Sequence, residues 1–403
     1  LYERGEEEIV SLRNGYPEYP KKFVDKISDD LVFHSLRVEK ADHVFIDYDP
    51  GASQVAYEVA KKVLALGASL DFRLRDECMN GLLKEGLAIQ YLKRPDAAFL
   101  ARIQCSDCYL SLRYADGNVL PTIEGTRERI WISHQKAVRE EIVDEERTRR
   151  CGVSLPTPYQ AQVDGMSFEE YLDVYFRACS LPWNEIEIAQ EKLIQKLDKG
   201  HELKIEADLS NANPRKRTSL LLSIKEMTFA NSTITKNYPG SEVFSAPVLT
   251  SVEGTYFSPG RFFYQGKLIR DIYLKFEKGR VVESDASEGR KRLLKILDFD
   301  SGSRLVGEIG IGTNRELIED VSDTLLFEKK GSSFHIALGS PYHFSYYNGK
   351  KVEVDNGGES AIHWDLTQML NREGGSRMLL DGELIQENGL FLDPSLEALN
   401  PRV

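Results

Sequence analysis

The chain has 403 residues, 41% of them apolar and 29% charged, which is ordinary globular usage and enough length for two packed domains with their own cores. Its 52 basic residues against 64 acidic ones leave a net charge of -12; the basic residues do not cluster, so a nucleic-acid partner is disfavoured. No run approaches about 18 consecutive apolar residues, so no membrane partner is expected.

The N-terminus, LYERGEEEIVSLRNG, lacks the basic-then-apolar pattern of a secretory signal, and five scattered cysteines fit a reducing, cytoplasmic setting. His43–Asp47 then reads as a short buried strand and Pro50-Gly51 as a turn. A helix capped at or near Ser53 runs to about Leu66, where Gly67 stops it. Leu70–Leu74 resumes extended structure. Strand, helix and strand in this order predict an α/β N-terminal domain with a parallel sheet. The turn lacks GxGxxG glycines, which argues against dinucleotide binding. The alternation continues through Ile89–Leu92 and Cys108–Leu112. Thr126–Arg150 is charged and helical in pattern, best read as a surface helix. Ser167 and Glu170 have the spacing of a capping box, and a second helix over Glu185–Leu197 ends at Gly200.

Beyond Gly200 the texture changes. HELKIEADLS, LLLSIKEMTFA, FYQGKLIRDIYLKFEKGRVVES and KVEVDNGG are strand-like runs divided by turns, with one helix over Glu288–Leu297. The predicted division is an N-terminal α/β domain over 1–199 and an α+β domain with a mostly antiparallel sheet over 200–403, the second carrying the site.

Histidine is scarce, with seven in the chain, and three of them fall between His335 and His363. His363 and Asp365 are two apart in an extended run, so both point to one face of a strand. With a further histidine upstream they make a set suited to a borderline divalent metal. Ordinary hydrogen bonds at a sheet edge are the bland alternative. Glu242, in YPGSEVFSAP, and Glu308, in RLVGEIGIG, are isolated acids among apolar residues. Each is either a surface turn residue or a partnered carboxylate, because an unpaired buried charge is costly. Partnered, they would suit a pair of divalent ions that activate water for hydrolysis. Cys105-x-x-Cys108 stands without a second pair, and GxSxG, HExxH and the P-loop glycine-lysine run are absent.

The segments PGSEVFSAP, SVEGTYF, YQGKLI, KGRVV, LLKILDFDSGSRLVGEIGIG, HIALGSPY and HWD, in this order, resemble the metal-dependent aminopeptidases of the aminopeptidase T and aminopeptidase S type. GMSFEEYLDVYFRAC and the opening βαβ unit extend the resemblance more loosely to the N-terminal half. It implies that Glu242, Glu308, His335, His363 and Asp365 are ligands of two divalent ions, Zn, Co or Mn. It also implies that Glu308 bridges them and that Tyr342 is an active-site tyrosine. Water activated between the ions would attack the first peptide bond of a short peptide, while a neighbouring carboxylate carries the proton to the leaving amine. A homodimer with an enclosed cavity is implied as well. One segment departs from the pattern. Where the family carries a phrase resembling LFDENA, this chain has LLFEKKGSSFH, with Glu328 the sole acid and one extra residue. Glu328 is then the stand-in for the family's acid, and Lys329 and Lys330 would disfavour a dication unless they point outward. The competing readings are a single-iron dioxygenase that opens hydroxylated pyridine rings, needing only His335, His363 and Asp365, and a binding homologue with a decayed site.

Overall fold

The computed structural model describes residues 15–94, 96–117, 125–143, 148–264 and 266–402. Most of the stretch assessed for a signal, residues 1–14, lies outside the described residues. The first sheet has the strand order Ser69–Leu74, His43–Tyr48, Cys108–Tyr114, Arg149–Leu155 and Asn237–Tyr238, every pairing parallel. His43–Tyr48 is buried almost throughout, its apolar Val44–Ile46 in the core and its buried Asp47 paired with Arg73 and Arg75. The helix Ser53–Ala65 follows it through a short 3-10 turn, Pro50–Ala52, and Val55, Val59 and Val63 face the core. Ile89–Leu92 is a single helical turn.

The charged run from Thr126 does not stay helical to Arg150. The helix ends at Val143, and Arg149–Leu155 is a strand beside Cys108–Tyr114. Cys151, Val153 and Leu155 are buried at every second position, a period of two that the flanking charges obscure. Ser167 and Glu170 do form the reciprocal cap of Phe168–Cys179.

Two antiparallel sheets follow. One has eight strands, running from Arg280–Glu288 at one edge through Glu253–Tyr264 and Glu202–Ala207 to Leu390–Phe391 at the other. The second has five, in the order His363–Met369, Ser333–Gly339, Val306–Gly312, Glu242–Ser245 and Ala230–Ser232. Thus the N-terminal sheet is parallel and the C-terminal sheets are antiparallel, as the turn spacing predicts. The KVEVDNGG stretch gives only the two-residue strand Lys350–Lys351. Val352 and Val354 bury instead in a small loop core with Phe344, Tyr347 and Phe244.

The chain passes between its two main cores. Ile186, Leu193 and Leu197 of the helix Trp183–Leu197 pack with the antiparallel sheets, whereas Ile234, Tyr238, Leu317, Val321 and Leu326 pack with the parallel one. The two antiparallel sheets are joined at Tyr256, whose fully buried hydroxyl lies 3.1 Å from the Phe334 carbonyl and 2.8 Å from that of Leu366. Phe334 and Leu366 adjoin His335 and Asp365, so this contact fixes the depth of two predicted ligands. Tyr256→Phe is expected to lower stability by about 1 kcal/mol, read from the midpoint of denaturant unfolding; an unchanged midpoint would remove the hydroxyl from the set of sheet-joining contacts.

Candidate metal centre

The five-stranded sheet collects the predicted ligands by register. Glu308 lies opposite Ala337, which lies opposite Asp365; Gly310 is opposite both His335 and Phe244, Gly312 is opposite Glu242, and Gly339 is opposite His363. Residues two apart share a face, so Glu242, Glu308, His335, His363 and Asp365 all project from one face. Ile309, Ile311, Phe334, Ile336, Leu338 and Leu366 alternate with them into the core behind. Neither glutamate is a surface turn residue: Glu242 is 4% exposed and Glu308 3%.

The glycines make room for these side chains. A Cβ on Gly310 would stand 2.1 Å from His335 Cε1 and 2.2 Å from its Nε2. The imidazole therefore lies across the strand at Gly310, next to Glu308. A Cβ on Gly312 would meet the Lys330 carbonyl at 2.2 Å. Glycine at 310 is thus a steric condition of the site and not a turn signal.

His335 Nε2 is 3.6 Å from Glu242 Oε2 and 3.6 Å from Glu308 Oε1, while His363 Nε2 is 3.2 Å from Glu308 Oε2 and 3.8 Å from Asp365 Oδ1. Two overlapping groups result, Glu242–Glu308–His335 and Glu308–His363–Asp365, each compact enough to surround one ion. Glu242 Oε2, Glu308 Oε2 and both ring nitrogens of His335 are buried without a hydrogen-bond partner. Leaving such atoms unsatisfied is costly, and a cation between them removes the cost. Carboxylate and imidazole together suit Zn, Co or Mn, so the residues present fit a divalent ion. His363 is oriented for that role: its Nδ1 lies 2.8 Å from the Ser340 carbonyl, which leaves Nε2 facing the carboxylates.

The electrostatics show the same need for positive charge. Burial works to raise the Glu308 carboxyl, but the imidazoles of His335 and His363 outweigh it and hold it down to about 2. Burial works to lower His335, and Glu308 with the other carboxylates raises it to about 9. Burial pushes the Glu328 carboxyl up, Lys329 opposing. It also pushes the Tyr342 hydroxyl well above its ordinary value, with Glu308 adding to the effect, so the phenol stays protonated.

Lys329 does not point outward. It closes the helix Thr324–Lys329, is 2% exposed, and donates to Glu242 and, at 2.6 Å, to Glu328 Oε1. Lys330 turns the other way and pairs with the exposed Asp320 at 3.0 Å. The helix is anchored by Asp323, its N-cap, which accepts from Ser154 Oγ at 2.7 Å and Gln160 Nε2 at 2.6 Å.

A cavity of about 200 Å³ opens beside the centre, its lining including Glu242, His363, Tyr342, Phe344, Arg150 and Lys236. The Tyr342 ring stacks on Phe344 at 5.2 Å and lies 5.4 Å from the His363 ring. Several contributors escape a reading of the sequence. Arg150 and Lys236 come from the parallel sheet and its approach, and Ser340, His343 and Asp355 form a chain of contacts. His343 Nδ1 is 2.8 Å from Asp355 Oδ2 and its Nε2 3.1 Å from Ser340 Oγ. The third clustered histidine therefore braces the loop that carries Tyr342. Cys105 is exposed and Cys108 buried, and neither is in a disulfide.

A family model described as thermophilic metalloprotease (M29) matches residues 21–389. Among curated proteins, aminopeptidase AmpS of Bacillus subtilis (strain 168) is 29% identical over 149 residues, 36% of each chain. Aminopeptidase T of Thermus aquaticus is 33% identical over 136 residues, 32% of this chain and 33% of the relative. The chain thus aligns with about a third of the length of these relatives. Two solved structures share the fold. Wild-type AmpT from Thermus thermophilus has a TM-score of 0.70 at 21% identity, covering 93% of this chain and 100% of its own. The 2,5-dihydroxypyridine dioxygenase from Pseudomonas putida KT2440 has a TM-score of 0.54 at 11% identity, covering 94% of this chain and 100% of its own.

Gly310→Ala tests the steric condition. The added carbon displaces the His335 ring from beside Glu308 and is expected to lower stability by about 1–3 kcal/mol, read from the midpoint of denaturant unfolding; an unchanged midpoint would show that the ring has room to move.

Proposed function

This chain belongs to the thermophilic metalloprotease (M29) family, and we propose that it is an aminopeptidase removing N-terminal residues from short peptides by metal-dependent hydrolysis. The observation that carries this reading is the convergence of Glu242, Glu308, His335, His363 and Asp365, with unpartnered buried donor atoms, at the side of a cavity. The two ligand groups meet at Glu308, whose carboxylate would be shared if both were filled. A divalent ion held there supplies the Lewis acidity that activates water near neutral pH and accepts charge developing on the scissile carbonyl.

The chain's own residues do the rest. The substrate's free α-amine needs an anionic or metal contact at this centre, which confines cleavage to the N-terminus. Tyr342, kept protonated by burial and lining the cavity beside His363, donates to the carbonyl oxygen as it gains charge. Glu328, hydrogen-bonded to Lys329 at the edge of the centre, takes a proton from the attacking water and passes it to the leaving amine. Arg150 and Lys236 line the same small cavity and suit the terminal carboxylate of a di- or tripeptide. An apolar face at the edge strand Ser69–Leu74 and the helix after it, with Phe72, Leu74, Met79 and Leu82 exposed, supports a homodimer. No helix among the described residues is long and apolar enough to cross a membrane, and we place the enzyme in the cytoplasm.

A single-iron oxygenase would need His335, His363 and Asp365 around one point. His335 groups instead with Glu242 and Glu308, and the other two with Glu308, which favours the hydrolase.

Protein loaded with Zn, Co or Mn is expected to release the first residue of aminoacyl anilides and of di- and tripeptides, to lose activity on chelation, and to regain it on metal return. Metal-loaded protein inert on all of these would overturn the proposal, and oxygen-dependent ring loss with bound iron would replace it. Arg150→Ala is expected to raise KM for free-carboxylate peptides about tenfold while leaving aminoacyl anilides, which lack that carboxylate, unchanged; an equal effect on both would remove Arg150 from carboxylate binding.

A further inference from the structure

The metal centre contains a cation of its own. The Lys329 ammonium lies between two buried carboxylates, donating to Glu242 and to Glu328. Lys329 thereby gives Glu242, one member of the Glu242–Glu308–His335 group, the positive charge that an ion there would bring, while Glu308 and His335 are not among its partners.

The lysine is also held in place. The Asn314 N–H donates to the Lys329 carbonyl at 2.9 Å, and the Gly331 N–H donates to the Asn314 carbonyl at 2.9 Å. These bonds fasten the segment to the chain just beyond the strand Val306–Gly312 that carries Glu308. With Lys330 turned to Asp320 at the surface, exchanging the two side chains would strand Glu242 and Glu328 as buried, unpaired charges, a costly outcome. The other ligand group is different. Among the described residues, no lysine or arginine pairs with Glu308 or Asp365, and the ion pairs they make are with imidazoles.

We propose, on the basis of the metal-dependent reading above, that Lys329 is a built-in replacement for one ion, so that each chain binds a single divalent ion, on Glu308, His363 and Asp365. A dication on Glu242 would stand beside an ammonium in a dry site, where like charges repel with little screening. The Glu308–His363–Asp365 group carries no such penalty. Glu242 then serves the site as the partner of Lys329, and a neutral side chain at 329 would open the second position.

The test is Zn stoichiometry per chain, by elemental analysis after chelator stripping, reloading and removal of free ion, with calorimetric titration beside it. The native protein is expected to hold about one ion, Lys329→Arg about one, and Lys329→Met about two. Lys329→Gln, neutral yet able to donate to both carboxylates, is the second variant and is also expected to gain an ion. Two tightly held ions in the native protein would overturn the inference and leave the aminopeptidase reading standing. So would a single ion in folded Lys329→Met and Lys329→Gln. No ion in the native protein, with no peptide hydrolysis, would overturn both.

Discussion

Glu242, Glu308 and Asp365 share one face of one sheet with two imidazoles, and the two glutamates are almost wholly removed from water. Carboxylates brought this close in a low dielectric repel one another, and each loses hydration that nothing apolar can replace. The local architecture answers that constraint with positive charge. His335 is drawn toward protonation, Glu308 is held ionised by the two imidazoles, and Lys329 is turned inward against the expectation for a lysine. A centre built this way is stable only when occupied by cations, whether protons, an ammonium or a metal ion. Binding of a divalent ion consequently exchanges against charges already present.

Much of the site is legible in the sequence because sheet geometry is periodic. His363 and Asp365 are two apart, and Glu308 is flanked by glycines within an apolar run; both patterns translate directly into side chains on one face with a packed core behind. Register between strands is the step a single string does not contain, and register is what sets Gly310 against His335 and Gly312 against Glu242. The direction of Lys329 is illegible for a related reason. A lysine between an acid and a second lysine reads as solvent-facing, and only the docking of its short helix against the segment that follows Val306–Gly312 turns it inward. Arg150 was hidden by its neighbours: the charged run before it imitates a helix, although Cys151, Val153 and Leu155 already alternate. The resemblance to a known family supplies Tyr342, which no periodicity would single out.

The strand Val306–Gly312 meets two demands at once. Ile309 and Ile311 fill the core between the antiparallel sheets, so this strand cannot be loosened without opening a cavity there. Glu308, Gly310 and Gly312 on the opposite face hold the charge and leave space for the side chains that share it. The stability of the core and the shape of the site are therefore written in alternate residues of one segment. Tyr256 extends the coupling by tying the carbonyls beside His335 and Asp365 to the eight-stranded sheet.

The excursion from Ser340 to Ile362 leaves and re-enters the sheet at neighbouring points, since Gly339 pairs with His363 and the Ser340 N–H donates to the Ile362 carbonyl at 2.7 Å. Between those points it packs on a small apolar cluster shared with Ala230 and Phe244 of the sheet and is braced by His343 against Asp355. Its ends are pinned whatever its middle does, and lengthening a loop of this kind costs only about 0.6 kcal/mol per doubling. The wall of the cavity that holds Tyr342 and Phe344 is also tied to the body at Thr228, Pro247 and Val306, and only the turns between these ties change length cheaply. Insertions and substitutions there can alter what the cavity admits while the strands that carry the charges keep their register.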